Sequence, residues 1–314
     1  MKIRSYRGTD EFDLLNVWQL SMTHDPLSSG LFHTRVLLDP NFQAENLVVA
    51  EEDGHVVGFV LALTRQVPLF LQGLEPEKSW ITAFGVHPDY RRRGIGRALF
   101  THVLYRFKEQ GRKTVEISPY VPNYFIPGVD SEAYRDALAF LQDAFGFSVI
   151  ERPISMGAKL TGFQIPTDII QLELKRQRED DLWISPVTSA DLPDLMPFVS
   201  THFGWDWYRH LQEYLLEYFG DSNSQMCILV ARLRGEIVGF CLQRRERFGP
   251  FGVRGDVRNL GIGRILLFRC LAEMSKRNIY YSYFMWTGDD AARLYSQAGY
   301  EKRRTFAILH KDLA

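Results

Sequence analysis

Two hydrophobic periods alternate along this chain, one of two residues and one of nearly four, and their succession lays out its elements. Residues 48–62, VVAEEDGHVVGFVLA, form two runs rich in β-branched residues around a Gly-containing turn, which predicts a hairpin. After Gly96, Leu99, Val103 and Phe107 recur every fourth position, predicting a helix that Gly111 stops. After Gly263, Leu266, Cys270 and Met274 recur in the same way, with Lys276 and Arg277 in the last turn, where cations suit the helix dipole. Strands are predicted next, at 113–120 and 279–286, and each is followed by a further helix and strand.

The pattern is written twice. Residues 48–62 align without gaps on 229–243, LVARLRGEIVGFCLQ, with seven identities in fifteen positions. Residues 84–99, FGVHPDYRRRGIGRAL, align on 251–266, FGVRGDVRNLGIGRIL, with ten in sixteen. Each half also opens alike, with a short strand, a polar cap and a helical pattern. The first half carries extra residues around VPLFLQGLEPEKSW, read as a loop. A whole domain is therefore duplicated, and 314 residues accommodate two at roughly 150 each. The expected division is 1–160, a linker helix within 161–180, and 181–314. The linker shows helical spacing at Ile170, Leu172 and Leu174, and Pro166-Thr167 reads as its start.

Composition narrows the classes of function. The apolar fraction is 46% and the net charge is −1, so no basic field recruits nucleic acid. No stretch approaches 18 apolar residues and the N-terminus lacks a signal-like core, which points to a cytoplasmic protein without a membrane partner. Cys227, Cys241 and Cys270 follow no metal or disulfide spacing and read as buried apolar positions. The eight histidines form no metal-binding cluster, so no metal is expected.

The chemistry concentrates at the glycines. A P-loop requires a Lys and a hydroxyl that both copies lack, and a dinucleotide fingerprint requires a third Gly where Leu99 and Leu266 stand. What remains is Arg-x-x-Gly-x-Gly between a strand and a helix: Arg91, Gly94 and Gly96, then Arg258, Gly261 and Gly263. The glycines let a diphosphate approach main-chain N–H groups that a helix start leaves unpaired, and rim arginines add charge-assisted bonds. A Gly inside the preceding FGV strand suggests a bulge or a close approach.

A Gly-bearing strand, this motif and a helix leading to another strand resemble the GNAT superfamily of acyl-CoA-dependent N-acyltransferases, twice over. The resemblance implies an α/β (α+β) fold of two tandem domains, each a mixed twisted sheet flanked by helices, with a splayed and bulged central strand. It implies acetyl-CoA as co-substrate, bound by Val86 with Arg91, Arg92, Arg93, Gly94, Ile95, Gly96 and Arg97. In the second half, Val253 with Arg258, Asn259, Leu260, Gly261, Ile262, Gly263 and Arg264 would bind it. It further implies acetyl transfer to a primary amine of a small molecule. In many family members a Tyr on the last helix protonates the departing thiolate, and Tyr295, four before Gly299, matches that place. The first half has Gln142 there, with Tyr134 earlier as a substitute candidate. The expectation is thus a catalytic second half and a first half that binds coenzyme A without turnover. Candidate bases are Glu246, Asp289 or a water held by main chain. The aromatic stretch 202–219 is either an acceptor pocket or, as such stripes more often are, core. The rival class is an acyl-CoA-binding or sensing protein with one or both domains catalytically degenerate.

Overall fold

The computed structural model describes residues 1–117, 119–221 and 224–313. The chain divides into two compact units, residues 1–153 with 304–314, and residues 154–303. In the first, β1 (Lys2–Ser5), α1 (Glu11–Ser21), α2 (Ser29–Phe32), β2 (Leu47–Glu52), β3 (His55–Leu63) and β4 (Lys78–Val86) follow in order. Then come α3 (Ile95–Glu109), β5 (Thr114–Ile117), β6 (Val129–Asp130), α4 (Arg135–Phe145) and β7 (Ser148–Glu151). The strand predicted at 113–120 is realised as β5, and its Ser118 lies outside the described residues.

The second unit holds β8 (Ile154–Lys159), α5 (Thr167–Asp180), β9 (Leu182–Pro186), α6 (Leu192–Phe203), α7 (Trp205–Gly220) and β10 (Met226–Leu233). It continues with β11 (Glu236–Arg244), β12 (Arg247–Val253), α8 (Ile262–Lys276), β13 (Tyr281–Thr287) and α9 (Asp289–Ser296). The last strand, β14 (Glu301–Asp312), runs back into the first unit from Arg304 onward.

Each sheet is mixed for the same reason. β1 to β4 pair antiparallel in sequence, as hairpins do, and the crossover through α3 brings β5 alongside β4 in parallel. In the second unit β9 to β12 repeat the antiparallel run, and the crossover through α8 sets β13 parallel to β12. Helices cover both faces. In the first unit Leu99, Val103 and Phe107 of α3 pack on one face, and Leu14 and Trp18 of α1 with Phe32 of α2 pack on the other. In the second, Leu266, Cys270 and Met274 of α8 and Leu195 and Leu211 of α6 and α7 divide the faces likewise.

The closing strands are exchanged. β14, the end of the chain, pairs antiparallel with β5 and also with β6 and β7 in the first unit. β8, which ends the first half of the sequence, pairs antiparallel with β13 in the second. The units therefore differ from the division at 160 and 181, because a strand belongs where its ladder is. The helix expected as a linker forms, as α5, but packs within the second unit on β9 and α8. It buries Ile169 and Glu173, while Ile170 and Leu174 face solvent. Among the described residues no helix is long and apolar enough to cross a membrane.

The exchange makes a local prediction. Leu309 is fully buried in the core of the first unit. Leu309→Ala should cost about 2–5 kcal/mol, as truncated core leucines do. Amide exchange should then quicken in β5 and α3, far away in sequence. Quickening confined to β10 and β11 would contradict the assignment of this strand.

Candidate active site

Among the described residues the parallel pairing of β4 with β5 stops at Ile81 and Ile117, yet β4 continues to Val86. The two strands part there because β4 bulges: Leu61 of β3 faces Ala83 and Ala62 faces Ile81, so Thr82 is the extra residue. The bulge thus sits at Thr82 and not at the glycine of FGV. Gly85 answers a different need, since a Cβ there would lie 2.0 Å from Ser21 Oγ at the end of α1. His87 N donates to Val57 O at 2.9 Å, so antiparallel alternation turns the main-chain groups of Phe84 and Val86 away from β3. They face the opening that β5 has left. An open strand edge of this kind pairs with an extended ligand that carries amides.

At the top of that edge the chain turns into α3. Gly94 has φ of 84° and nothing would meet a Cβ there, so the loop is open above it. The helix begins with no side-chain cap and no acidic residue in its first turn, which leaves unpaired N–H groups suited to an anion. Arg91 Nε donates to Val86 O at 3.2 Å, bracing the loop against the strand. Arg93 turns aside, its guanidinium 4.9 Å from the centre of the Tyr90 ring. Val86, Arg91, Arg92, Gly94, Ile95, Gly96 and Arg97 line one cavity of about 1010 Å³, and Arg93 does not.

The cavity continues down β4 to Ser21, Met22, Thr23 and Thr82, and across to Glu132, Tyr134 and Arg135 at the start of α4. Thr82 Oγ1 is buried there and has no hydrogen-bond partner in the protein. Tyr134 is half-buried. Its hydroxyl donates to Asp25 Oδ2 at 2.7 Å and accepts from His24 N at 3.2 Å. Burial and then the Asp25 carboxylate push this phenol well above the ordinary tyrosine range, so it stays protonated. Asp25 is gripped at both oxygens by Arg304 of β14, at 2.7 and 2.8 Å. Arg304 also donates to Asp130, whose other oxygen accepts from Glu132 N and Ala133 N ahead of α4. Burial alone would raise Asp130, but the Ala133 N–H and the Arg304 guanidinium hold it below the usual carboxylate range.

In the second unit the matching places are filled by the protein itself. Gly261 has φ of 76°, as its counterpart does, but a Cβ there would lie 2.8 Å from Leu172 of α5. Around that contact Arg264 pairs with Asp168 at 3.1 Å, Arg176 Nε donates to Leu260 O at 3.0 Å, and Arg269 grips buried Glu173. Helix α5 lies on the loop. Below, among the described residues β12 pairs with β13 only at Arg247 and Tyr283, so these strands part as well. Beside them Phe251 of β12, Phe284 of β13 and Tyr295 of α9 pack together in the core, with Tyr295 4.4 Å from Phe284 and 6.1 Å from Phe251 between ring centres. Beneath Gly252, where the first unit has Ser21, stands Phe203, stacked on Trp207 at 5.0 Å.

The expected residues of the second unit lie as follows. Tyr295, expected as the thiolate acid, is a buried core residue whose hydroxyl burial pushes well above the tyrosine range. Val253, Arg258, Asn259, Leu260, Gly261, Ile262, Gly263 and Arg264, expected to bind coenzyme A, belong to a loop that α5 covers. Arg258 Nε is turned to Val253 O at 3.3 Å. Glu246 sits exposed at the opposite end of β12 from the loop, and Asp289 is exposed in the first turn of α9. Phe203, Trp207 and Tyr208 of the 202–219 stretch pack on the core, in keeping with the alternative reading of that stripe. Sequence reasoning passed over Ser21, Asp25, Thr82 and Arg304. None lies in the motif, and Arg304 is 279 residues from the carboxylate it holds.

Comparison with known proteins agrees with this architecture. The description of the acetyltransferase (GNAT) family matches residues 13–124 and 192–300. No curated sequence matches the chain. Among solved structures, one is a GCN5-related glucosamine N-acetyltransferase region of a fungal multi-domain GH3 β-N-acetylglucosaminidase. It superposes with a TM-score of 0.79 at 21% identity, over 99% of this chain and 38% of that one. This chain thus spans well under half the length of that protein. A GCN5-related N-acetyltransferase from Sphaerobacter thermophilus gives 0.70 at 18% identity, covering 99% and 95%. A tandem GNAT protein from the clavulanic acid biosynthesis pathway gives 0.62 at 14%, covering 100% and 98%. With two matched regions, two mixed sheets that each part beside a glycine loop, and both halves of the sequence accounted for, the chain belongs to the acetyltransferase (GNAT) family.

Proposed function

We propose that this protein is an acetyl-CoA-dependent N-acetyltransferase acting on a primary amine of a small molecule, with its transfer site in the first unit. One observation carries the reading: a single cavity joins an open Gly94–Gly96 loop, a free β4 edge and a polar end at Ser21 and Tyr134. In the second unit Leu172 stands over Gly261, Tyr295 packs on Phe284, and Phe203 stands beneath Gly252. This reverses the division of labour that Tyr295 and Gln142 suggested. The degenerate-domain reading then describes the second unit alone. The polar end suits an amine acceptor, and the description of the fungal neighbour as a glucosamine N-acetyltransferase region supports a small one. Three free, buried cysteines fit a cytoplasmic setting.

The residues fit the co-substrate. The N–H groups at the start of α3, with Arg91, Arg92 and Arg97 around them, would take the diphosphate. Phe84 and Val86 would pair with the pantetheine amides, and the acetyl group, supplied as a thioester, would lie where β4 and β5 part. There the amine nitrogen forms its bond to the acetyl carbon as the carbon–sulfur bond breaks. Tyr134, a neutral phenol on the cavity wall, gives its proton to the departing sulfur. The proton lost by the product nitrogen restores the phenol. Thr82 offers an unpaired hydroxyl to the polar end of the substrate.

Titration calorimetry should find one coenzyme A per chain. Gly94→Val places a side chain over the helix N–H groups and should abolish that binding. Gly261→Val collides with Leu172 and strains a left-handed backbone, so it should lower stability by about 1–2 kcal/mol or more and leave binding intact. Two sites per chain, or loss of binding with Gly261→Val, would refute the assignment.

The two tyrosines separate the readings at the chemical step. Tyr134→Phe should lower kcat by about 10²–10⁴ with little change in KM for acetyl-CoA, measured by thiol release with an amine that wild type acetylates. Tyr295→Phe should turn over at the wild-type rate. The opposite pattern would return catalysis to the second unit.

A further inference from the structure

The chain's last strand brings more to the first unit than a rung of sheet. Arg304 reaches it only because β14 pairs with β5, β6 and β7, and it arrives beside the cavity wall with its guanidinium shared between two carboxylates. The Asp25 and Arg304 side chains are largely buried, at 10% and 21% exposure. Arg304 also lies over the Phe306 ring at 4.8 Å, which fixes its approach. Buried pairs with this geometry contribute little net stability against an apolar replacement, which makes a functional use of the pair worth testing.

The use follows from counting hydrogen bonds. The Tyr134 proton is engaged with Asp25 Oδ2. To reach a sulfur it must leave that oxygen, and a buried carboxylate that loses its donor resists the move. Arg304 removes the resistance, since Nη1 and Nη2 serve both Asp25 oxygens before and after the proton departs. The same guanidinium holds Asp130, which fixes the turn that carries Tyr134 into α4. We infer that Arg304 is a positioning residue of the transfer site, acting through Asp25 to free the Tyr134 proton for the leaving thiolate. The first half of the sequence then cannot form a competent site without the last eleven residues of the chain. The inference rests on the proposed role of Tyr134.

The test uses the full chain and an amine that wild type acetylates. Arg304→Gln should lower kcat about tenfold or more, since loss of a cation at this range weakens an acid by one or more pKa units. KM for acetyl-CoA should stay within about twofold. Arg304→Lys keeps the charge but loses the two-pronged grip. It should fold with a thermal midpoint near wild type, keep KM, and lie between the two in kcat. In a Tyr134→Phe background neither substitution should lower kcat further, which a merely structural role would not produce. If Tyr134→Phe slows turnover but folded Arg304→Lys matches wild type, or if the effects multiply, the positioning role is wrong. Should Arg304→Gln fail to fold, the Lys variant and its combination with Tyr134→Phe decide the question. If Tyr134→Phe itself leaves kcat unchanged, the role of Tyr134 fails and this inference fails with it.

Discussion

A parallel strand pair that separates partway along leaves main-chain donors and acceptors facing a gap, and such groups are costly to bury unpaired. Both units are built around this constraint. In each, the strand before the glycine loop outruns its parallel neighbour, and the gap must be met by a ligand or closed by the protein. The first unit leaves it open from the loop to Ser21. The second closes it with aromatic rings and lays a helix over the loop. One backbone solution thus yields an open cavity in one place and a covered, packed region in the other, and the difference lies in what stands over the loop, beside the strands and beneath the FGV glycine.

The closing strands support the same geometry. A strand that parts from its neighbour is poorly supported on that side, so the neighbour needs a partner on its far edge. β14 supplies it for β5, and β8 for β13. Because β14 comes from the far end of the chain, the first unit is incomplete as a continuous segment, whereas the second runs unbroken from 154 to 303. Truncation between the halves would strip β5 of a full ladder and withdraw Arg304 from Asp25 together. Folding and assembly of the first site are thereby joined in a single strand.

Much of the architecture was legible because it is local. The period-two runs at 48–62 and 229–243 became hairpins, and the recurrence of Leu99, Val103 and Phe107 at every fourth residue became the buried face of α3. The first loop was legible too, since Gly94 and Gly96 lie where a strand gives way to a helix. What escaped was decided by tertiary contact. Leu172 sits on a helix with an apolar stripe, and nothing in that stripe names Gly261 as its target. Tyr295 stands at the family's spacing from Gly299, but spacing along a helix does not say whether a ring faces a gap or plugs it. Ser21 and Phe203 differ decisively under equivalent glycines, and they lie in stretches with no alignment to compare.

On the proposed reading, the second copy of the motif is a binding signature without a ligand. Arg91 braces its loop on Val86 O at 3.2 Å, and Arg258 does the same on Val253 O at 3.3 Å. Gly94 and Gly261 both take left-handed conformations, φ 84° and 76°, that admit other residues only with strain. The arginine and the first glycine are therefore required to turn a strand into a helix, whether or not an anion arrives. The parts that only a ligand needs are the clear space above the loop and the rim arginines around it. In the second unit that space is taken by Leu172, and Asn259 and Leu260 stand where the first has Arg92 and Arg93. Since Arg93 is itself turned to Tyr90, the ligand-specific difference in charge reduces to Arg92 against Asn259. The steric cover by α5 outweighs that single charge, because an exposed arginine gains well under the free energy lost when a helix bars the approach altogether.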